Sequence, residues 1–213
     1  MASLNYSSSF IRKEIEKNFA TVCNKEIEKF NALCIICENI NQFLRAINDD
    51  SNSLEHYVRL INTRIGEHMI SSTILIGKGF VIDGINLVRS SFEDLWLIQN
   101  LYFKEGYFKE WVEGQGVRPW RLRQLKEIED IKEENEIIYK ALCNISHCSV
   151  ASIEHMTSIK ENMNTIINDF RLVVMSYYSY CLQVVEALEE YYGKNEEVNK
   201  INNSLLSLNI VME

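Results

Sequence analysis

The sequence predicts an all-α fold, a bundle of long antiparallel helices with short additional helices, and three observations lead there. One proline and eight glycines in 213 residues leave too few turn formers for a β-sandwich or barrel. Apolar residues recur at steps of three and four over long stretches, the rhythm of helices with one buried face. With 46% apolar and 24% charged residues, the chain can bury a core without staples and is no disordered polypeptide. The length fits one helical domain over 1–213, organised as a long N-terminal helix (1–52), central helices (53–112), C-terminal helices (119–192) and a tail (194–213).

From Phe10 to Ile47 the apolar positions run through Ile15, Phe19, Val22, Cys23, Ile27, Phe30, Leu33, Ile36, Cys37, Ile40, Phe43, Leu44 and Ile47 without a gap, predicting one continuous amphipathic helix. The serines at 7–9 offer an N-cap and the polar cluster NDDSNS at 48–53 ends the run. Ser53 is placed to cap the next helix, with Glu55 in its first turn favourable to the dipole. That region, through Ile61, Ile65 and Met69 toward Trp96, is too long for one straight helix. Gly66, or the pair Gly77 and Gly79, is the expected break, and a short hairpin around GKG is the alternative. Gly77, Gly84 and Ser91 lie seven apart and would offer one face for close helix approach. EGQGVRP at 113–119 is the strongest punctuation, with Pro119 suited to a first helical position. Helix resumes after it, breaks at CSVASIEHMTS (148–158), and returns from Ile159 through Leu188 until Gly193 stops it. Val198, Ile201, Leu205 and Leu208 form a weak amphipathic tail that docks or frays.

Charge narrows the function classes. Twenty-two basic against 30 acidic residues give −8, which disfavours coating nucleic acid by phosphate neutralisation and leaves room only for a local basic site. The opening MASLNYSSSFIRKEIEK has no apolar core of signal-peptide length, so no secretory signal is expected. The most apolar stretch, 69–88, is interrupted by Lys78 and Asp83, so no membrane span is expected either. The chain reads as cytoplasmic, with its six cysteines reduced. Cys34 and Cys37 form a C-x-x-C, and Cys143, His147 and Cys148 could complete a zinc set. Because ALCIICENI is continuous helix without knuckle glycines, buried thiols are the better reading and no metal is assigned.

Two segments carry residues suited to chemistry. In LVRSSFEDLWLIQNLYF (87–103), Arg89 falls beside the apolar stripe with Glu93 one turn on. The two form either an ordinary i,i+4 ion pair or the wall of a polar cleft. In YKALCNISHCS (139–149), Tyr139, Cys143 and His147 share a helix face with Ser146 beside them. If the segments meet, Glu93 and His147 could act as base and acid while Arg89 stabilises a phosphoryl anion, as a metal-free ribonuclease requires. A third feature, RPWRLR (118–123), sets Arg118, Arg121 and Arg123 around Trp120, with Lys126 following, a patch able to grip phosphates and stack on a base.

The pairing of VRSSFEDLWLIQNLYF with the later YKALCNISHCSVAS resembles a family of bacterial all-helical proteins. Its members carry an R-x-x-x-E helix and a later Y-x-x-L-[SC]-x-x-x-H segment. Arg89, Glu93, Tyr139 and His147 are the matching positions, within the middle third of the chain. In general character such proteins resemble the HEPN superfamily, many of whose members are toxin or antiviral ribonucleases acting as dimers. The resemblance implies an RNA-directed effector and a homodimer. The HEPN ribonuclease motif, an arginine, four to six residues, then a histidine, is absent. Arg64-Ile-Gly-Glu-His68 comes one residue short, and its two ends are the runner-up pair. The competing expectation is a non-enzymatic helical module acting through self-association or a protein partner. With no dinucleotide fingerprint, nucleophile elbow or metalloprotease motif, no cofactor is expected.

Overall fold

A computed structural model describes residues 7–114, 137, 139–145 and 163–210. Every regular element among them is helical. Helix α1 spans Ser7–Val22 and α2 Asn24–Ile47. They are followed by α3 (Leu54–Gly77), α4 (Val81–Phe103) and the short α5 (Tyr107–Val112). Beyond these come α6 (139–145), α7 (Met163–Tyr192) and α8 (Glu196–Leu206).

The helices α2, α3, α4 and α7 pack on one another, and the remaining ones attach to this group. Short connections make α2–α3 and α3–α4 antiparallel hairpins. Helix α7 lies antiparallel to α3, with Tyr180 on Asn62 and Tyr192 on Glu55. It therefore runs parallel to α2 and α4. Phe170 meets Phe30 and Tyr192 meets Phe43 on α2, while Gln183 pairs with Gln99 on α4. The core is aliphatic and aromatic, with polar links inside it. Asn62 donates to the Cys37 carbonyl (3.0 Å) and to Asn41 (2.8 Å), and its own oxygen accepts from the Tyr180 hydroxyl (2.7 Å). A buried amide of this kind needs every partner it can find, since an unmatched one costs more than a matched one gains.

Several expected boundaries are observed. Ser53 caps α3, its hydroxyl accepting from the His56 amide at 3.1 Å. Gly193 follows α7 with φ +72°, a conformation a side chain rarely adopts. The tail docks, with Val198, Ile201 and Leu205 buried and Asn195 capping α8.

Other boundaries differ. The expected single helix over Phe10–Ile47 is bent at Cys23, which separates α1 from α2. The hydrogen bonds Cys23 to Phe19 and Ile27 to Cys23 (both 2.9 Å) run through the bend, so it is a kink rather than a loop. The kink lets Phe19 reach Phe170, ring centroids 5.0 Å apart, and pack against Gly77. Helix α1 begins at Ser7, so Ser8 and Ser9 lie inside it. Of the two expected breaks, Gly66 stays within α3, and the turn falls at 78–80 with Gly79 at φ +79°. No hairpin forms there, because α3 runs on to Gly77 and α4 starts at Val81. Gly77 consequently sits on α3, while Gly84 and Ser91 sit on α4 facing α3. A Cβ at Gly84 would stand 2.9 Å from the Ser72 carbonyl. A further break at 104–106, with Gly106 at φ +73°, divides α4 from α5. The segments RPWRLR and CSVASIEHMTS lie outside the described residues.

Candidate functional site

Helix α4 carries polar groups on two different faces. Residues 91–102 are all buried except Glu93, so its polar side chains bond either to neighbouring helices, as Asp94 and Gln99 do, or to the backbone of α4 itself, as Ser91 and Asn100 do.

One face holds Arg89, Glu93 and Trp96 and is covered by α6. The Tyr139 hydroxyl donates to Glu93 Oε1 at 3.3 Å, and its ring lies 4.9 Å from Trp96, tilted by 60°. Leu142, one turn along α6, is buried and fixes this register. Burial raises the Tyr139 phenol to about 12, aided by Cys143 and the Glu93 charge and opposed by the Arg89 guanidinium. The phenol therefore keeps its proton at neutral pH and acts as a donor. Of the two readings of Arg89 and Glu93, the i,i+4 ion pair is absent among the described residues, where the ion pairs on α4 are those of Asp94. Arg89 Nε is buried, and among the described residues it has no hydrogen-bond partner. A buried guanidinium N–H without an acceptor is costly, and an incoming oxyanion would relieve that cost.

Three of the predicted site residues, Arg89, Glu93 and Tyr139, are thus drawn to one side of α4. His147, and with it the proposed acid, lies outside the described residues. So do the candidate substrate contacts Arg118, Trp120, Arg121 and Arg123. Cys143 sits on α6 beside Tyr139, whereas Cys37 packs against Cys181 on α7. Among the described residues no group of three His, Cys, Asp or Glu side chains could hold a metal ion.

The other face of α4 meets α3. Asp94, with 8% of its side chain exposed, accepts from Arg64 Nε at 2.9 Å and from Arg64 Nη2. His68 lies one turn along α3, its Nδ1 3.9 Å from Asp94 and 3.5 Å from the Ser91 hydroxyl. Burial lowers the His68 imidazole below its ordinary value of 6.5, against the Asp94 charge, which raises it. Burial raises Asp94, against Arg64, which lowers it. Arg64 and His68 do face the same side of one helix, as their spacing predicts.

Serine, histidine and aspartate in this order resemble a nucleophilic triad in composition only. Ser91 and Asp94 both approach the same ring nitrogen, and the Ser91 hydroxyl donates to the Leu87 carbonyl at 3.1 Å. Sequence reasoning passed over Asp94. Its signal was an acid embedded in the apolar run DLWLIQN, where burial demands a cationic partner.

Neither protein-family models, nor curated proteins, nor solved structures yield a match to this chain.

Proposed function

We propose that the chain is a HEPN-like helical effector of defence or toxin type that binds or cleaves RNA, acting in the cytoplasm as a homodimer. The observation that carries this reading is the buried Nε of Arg89, with no hydrogen-bond partner among the described residues, beside the Glu93–Tyr139 pair. In this scheme Arg89 neutralises a phosphoryl oxygen and Glu93 takes the proton of the attacking hydroxyl. Tyr139 holds the carboxylate in place, and His147 protonates the leaving oxygen. The arginines of 118–123 and Trp120 supply backbone and base contacts. Such a site acts locally against a net charge of −8, so RNA association is expected to weaken with added salt. The test compares wild type with Arg89→Ala, Glu93→Gln and His147→Ala for RNA binding, RNA cleavage and growth of expressing cells. Slowed growth and RNA loss for the wild type alone is the expected result. Equal growth, with neither binding nor cleavage by any form, would remove the proposal.

A second reading is a non-enzymatic module acting through self-association or a protein partner. It is favoured by the outer face of α3, where Leu60, Ile70 and Ile74 are 51%, 50% and 52% exposed. Ile70→Asp, at an exposed position, is then expected to abolish association in sedimentation while leaving the helical content by circular dichroism unchanged. Among the described residues no helix is long and apolar enough to cross a membrane.

A further inference from the structure

The C-x-x-C of α2 is not used by the site on α4, and the fold gives it a different neighbour. Cys37 and Cys181 are buried on α2 and α7, with their Sγ atoms 3.8 Å apart. Met69 Sδ lies 3.6 Å from Cys37, so three sulfurs from three helices touch. Cys34, one turn before Cys37, is only partly buried.

We propose that these thiols are a peroxide-driven relay ending in a Cys37–Cys181 disulfide that staples α2 to α7. Cys34 is the entry point because a small solute can reach it. Its thiolate attacks the terminal oxygen of hydrogen peroxide, an S–O bond forms, the O–O bond breaks, and hydroxide leaves to take a proton as water. The Cys37 sulfur then attacks the sulfenic sulfur of Cys34. An S–S bond forms, the S–O bond breaks, and the hydroxyl departs as water with the proton of Cys37. Cys181, already in contact with Cys37, attacks the Cys37 sulfur, and its proton passes to Cys34, which leaves as a thiol. In sum two thiols give up two electrons and two protons, and one peroxide becomes two waters.

Closure requires the two sulfurs to approach from 3.8 Å to about 2.05 Å. Burial holds the Cys34 thiol up at about 11 and Cys181 well above its ordinary value. The relay is therefore slow at neutral pH and quickens as the solution becomes alkaline, since the thiolate is the reacting form.

The experiment treats the reduced full-length protein with hydrogen peroxide, alkylates free thiols under denaturing conditions, and maps the peptides by mass spectrometry. The expected product links the peptide holding Cys37 to that holding Cys181, carries an alkylated Cys34, and reverts with dithiothreitol. Cys34→Ser, at a partly exposed position that leaves the core intact, is expected to slow the link roughly tenfold. Cys181 still fully alkylatable after peroxide, with oxidation confined to Cys34 or to a Cys34–Cys37 loop, would overturn the disulfide. A link forming equally fast in the Cys34→Ser variant would overturn the relay.

Discussion

At the scale of single residues, the His68 imidazole shows how a buried carboxylate and desolvation compete. Burial favours the neutral ring, whereas Asp94 and Glu67 favour the charged one and Arg64 opposes it. Desolvation wins, so the folded chain holds this proton less tightly than the unfolded chain does. Stability from His68 is therefore present above pH 6.5 and lost as the pH falls through the lowered folded value. An NMR titration is expected to place the His68 midpoint below 6.5, and Asp94→Asn to move it lower still by removing the favourable charge. A midpoint at or above 6.5, or an upward shift in the variant, would contradict this balance. Asp94 contributes with the opposite sign, because its raised folded value favours the protonated form and its share of stability declines as the pH rises. That Arg64 and His68 share one side of α3 was legible from helical spacing, which decides which side chains of one helix share a face, whereas the Glu93–Tyr139 contact joins two helices 46 residues apart and no spacing showed it. The Arg64–Asp94 contact was not legible either, because it depends on the register of the α3–α4 hairpin, and that register is set by the length of the turn at 78–80.

Among the helices, two glycines separate the effects of space and propensity. At Gly84 a Cβ would lie 2.7 Å from Ile76 Cγ1 and 2.9 Å from the Ser72 carbonyl, so α3 and α4 must part. Gly84→Ala is expected to cost about 1–3 kcal/mol despite the better helix former, because overpacking exceeds the propensity gain. At Gly66 nothing stands within 4 Å of a Cβ. Gly66→Ala is therefore expected to stabilise by about 0.5–1 kcal/mol. Denaturant midpoints moving in the same direction for both would refute the distinction. Helix lengths could be read because apolar periodicity persists across whole elements. The kink at Cys23 could not, since no proline or glycine marks it and the hydrogen bonds continue through it. The break at 104–106 was hidden for another reason: the aromatic positions Phe103 and Tyr107 keep the helical rhythm on both sides of Gly106.

For the molecule as a whole, the parallel course of α7 with α2 and α4 means that distant segments of chain hold the core together. Helix α8 then seals the seam between α2 and α7 through Val198, Ile201 and Leu205. Leu205→Ala is expected to lower unfolding stability by about 2–4 kcal/mol, the cost of an unfilled site in a packed interior. A loss within experimental error would mean that the tail is dispensable. All-α architecture follows from composition and rhythm, whereas the direction of α7 does not, because it rests on contacts with α2, α3 and α4 from segments far away in the chain rather than on any local pattern.

The enclosure of α4 by its neighbours gives the chain an internal clock. In heavy water, the amides from Ser91 to Tyr102 should be the last to surrender their protium, for they are freed only when the surrounding helices come away together. The ends of α1 and α8 should trade theirs first. Protection that ran the other way would mean that the mast of the structure is not where these contacts place it.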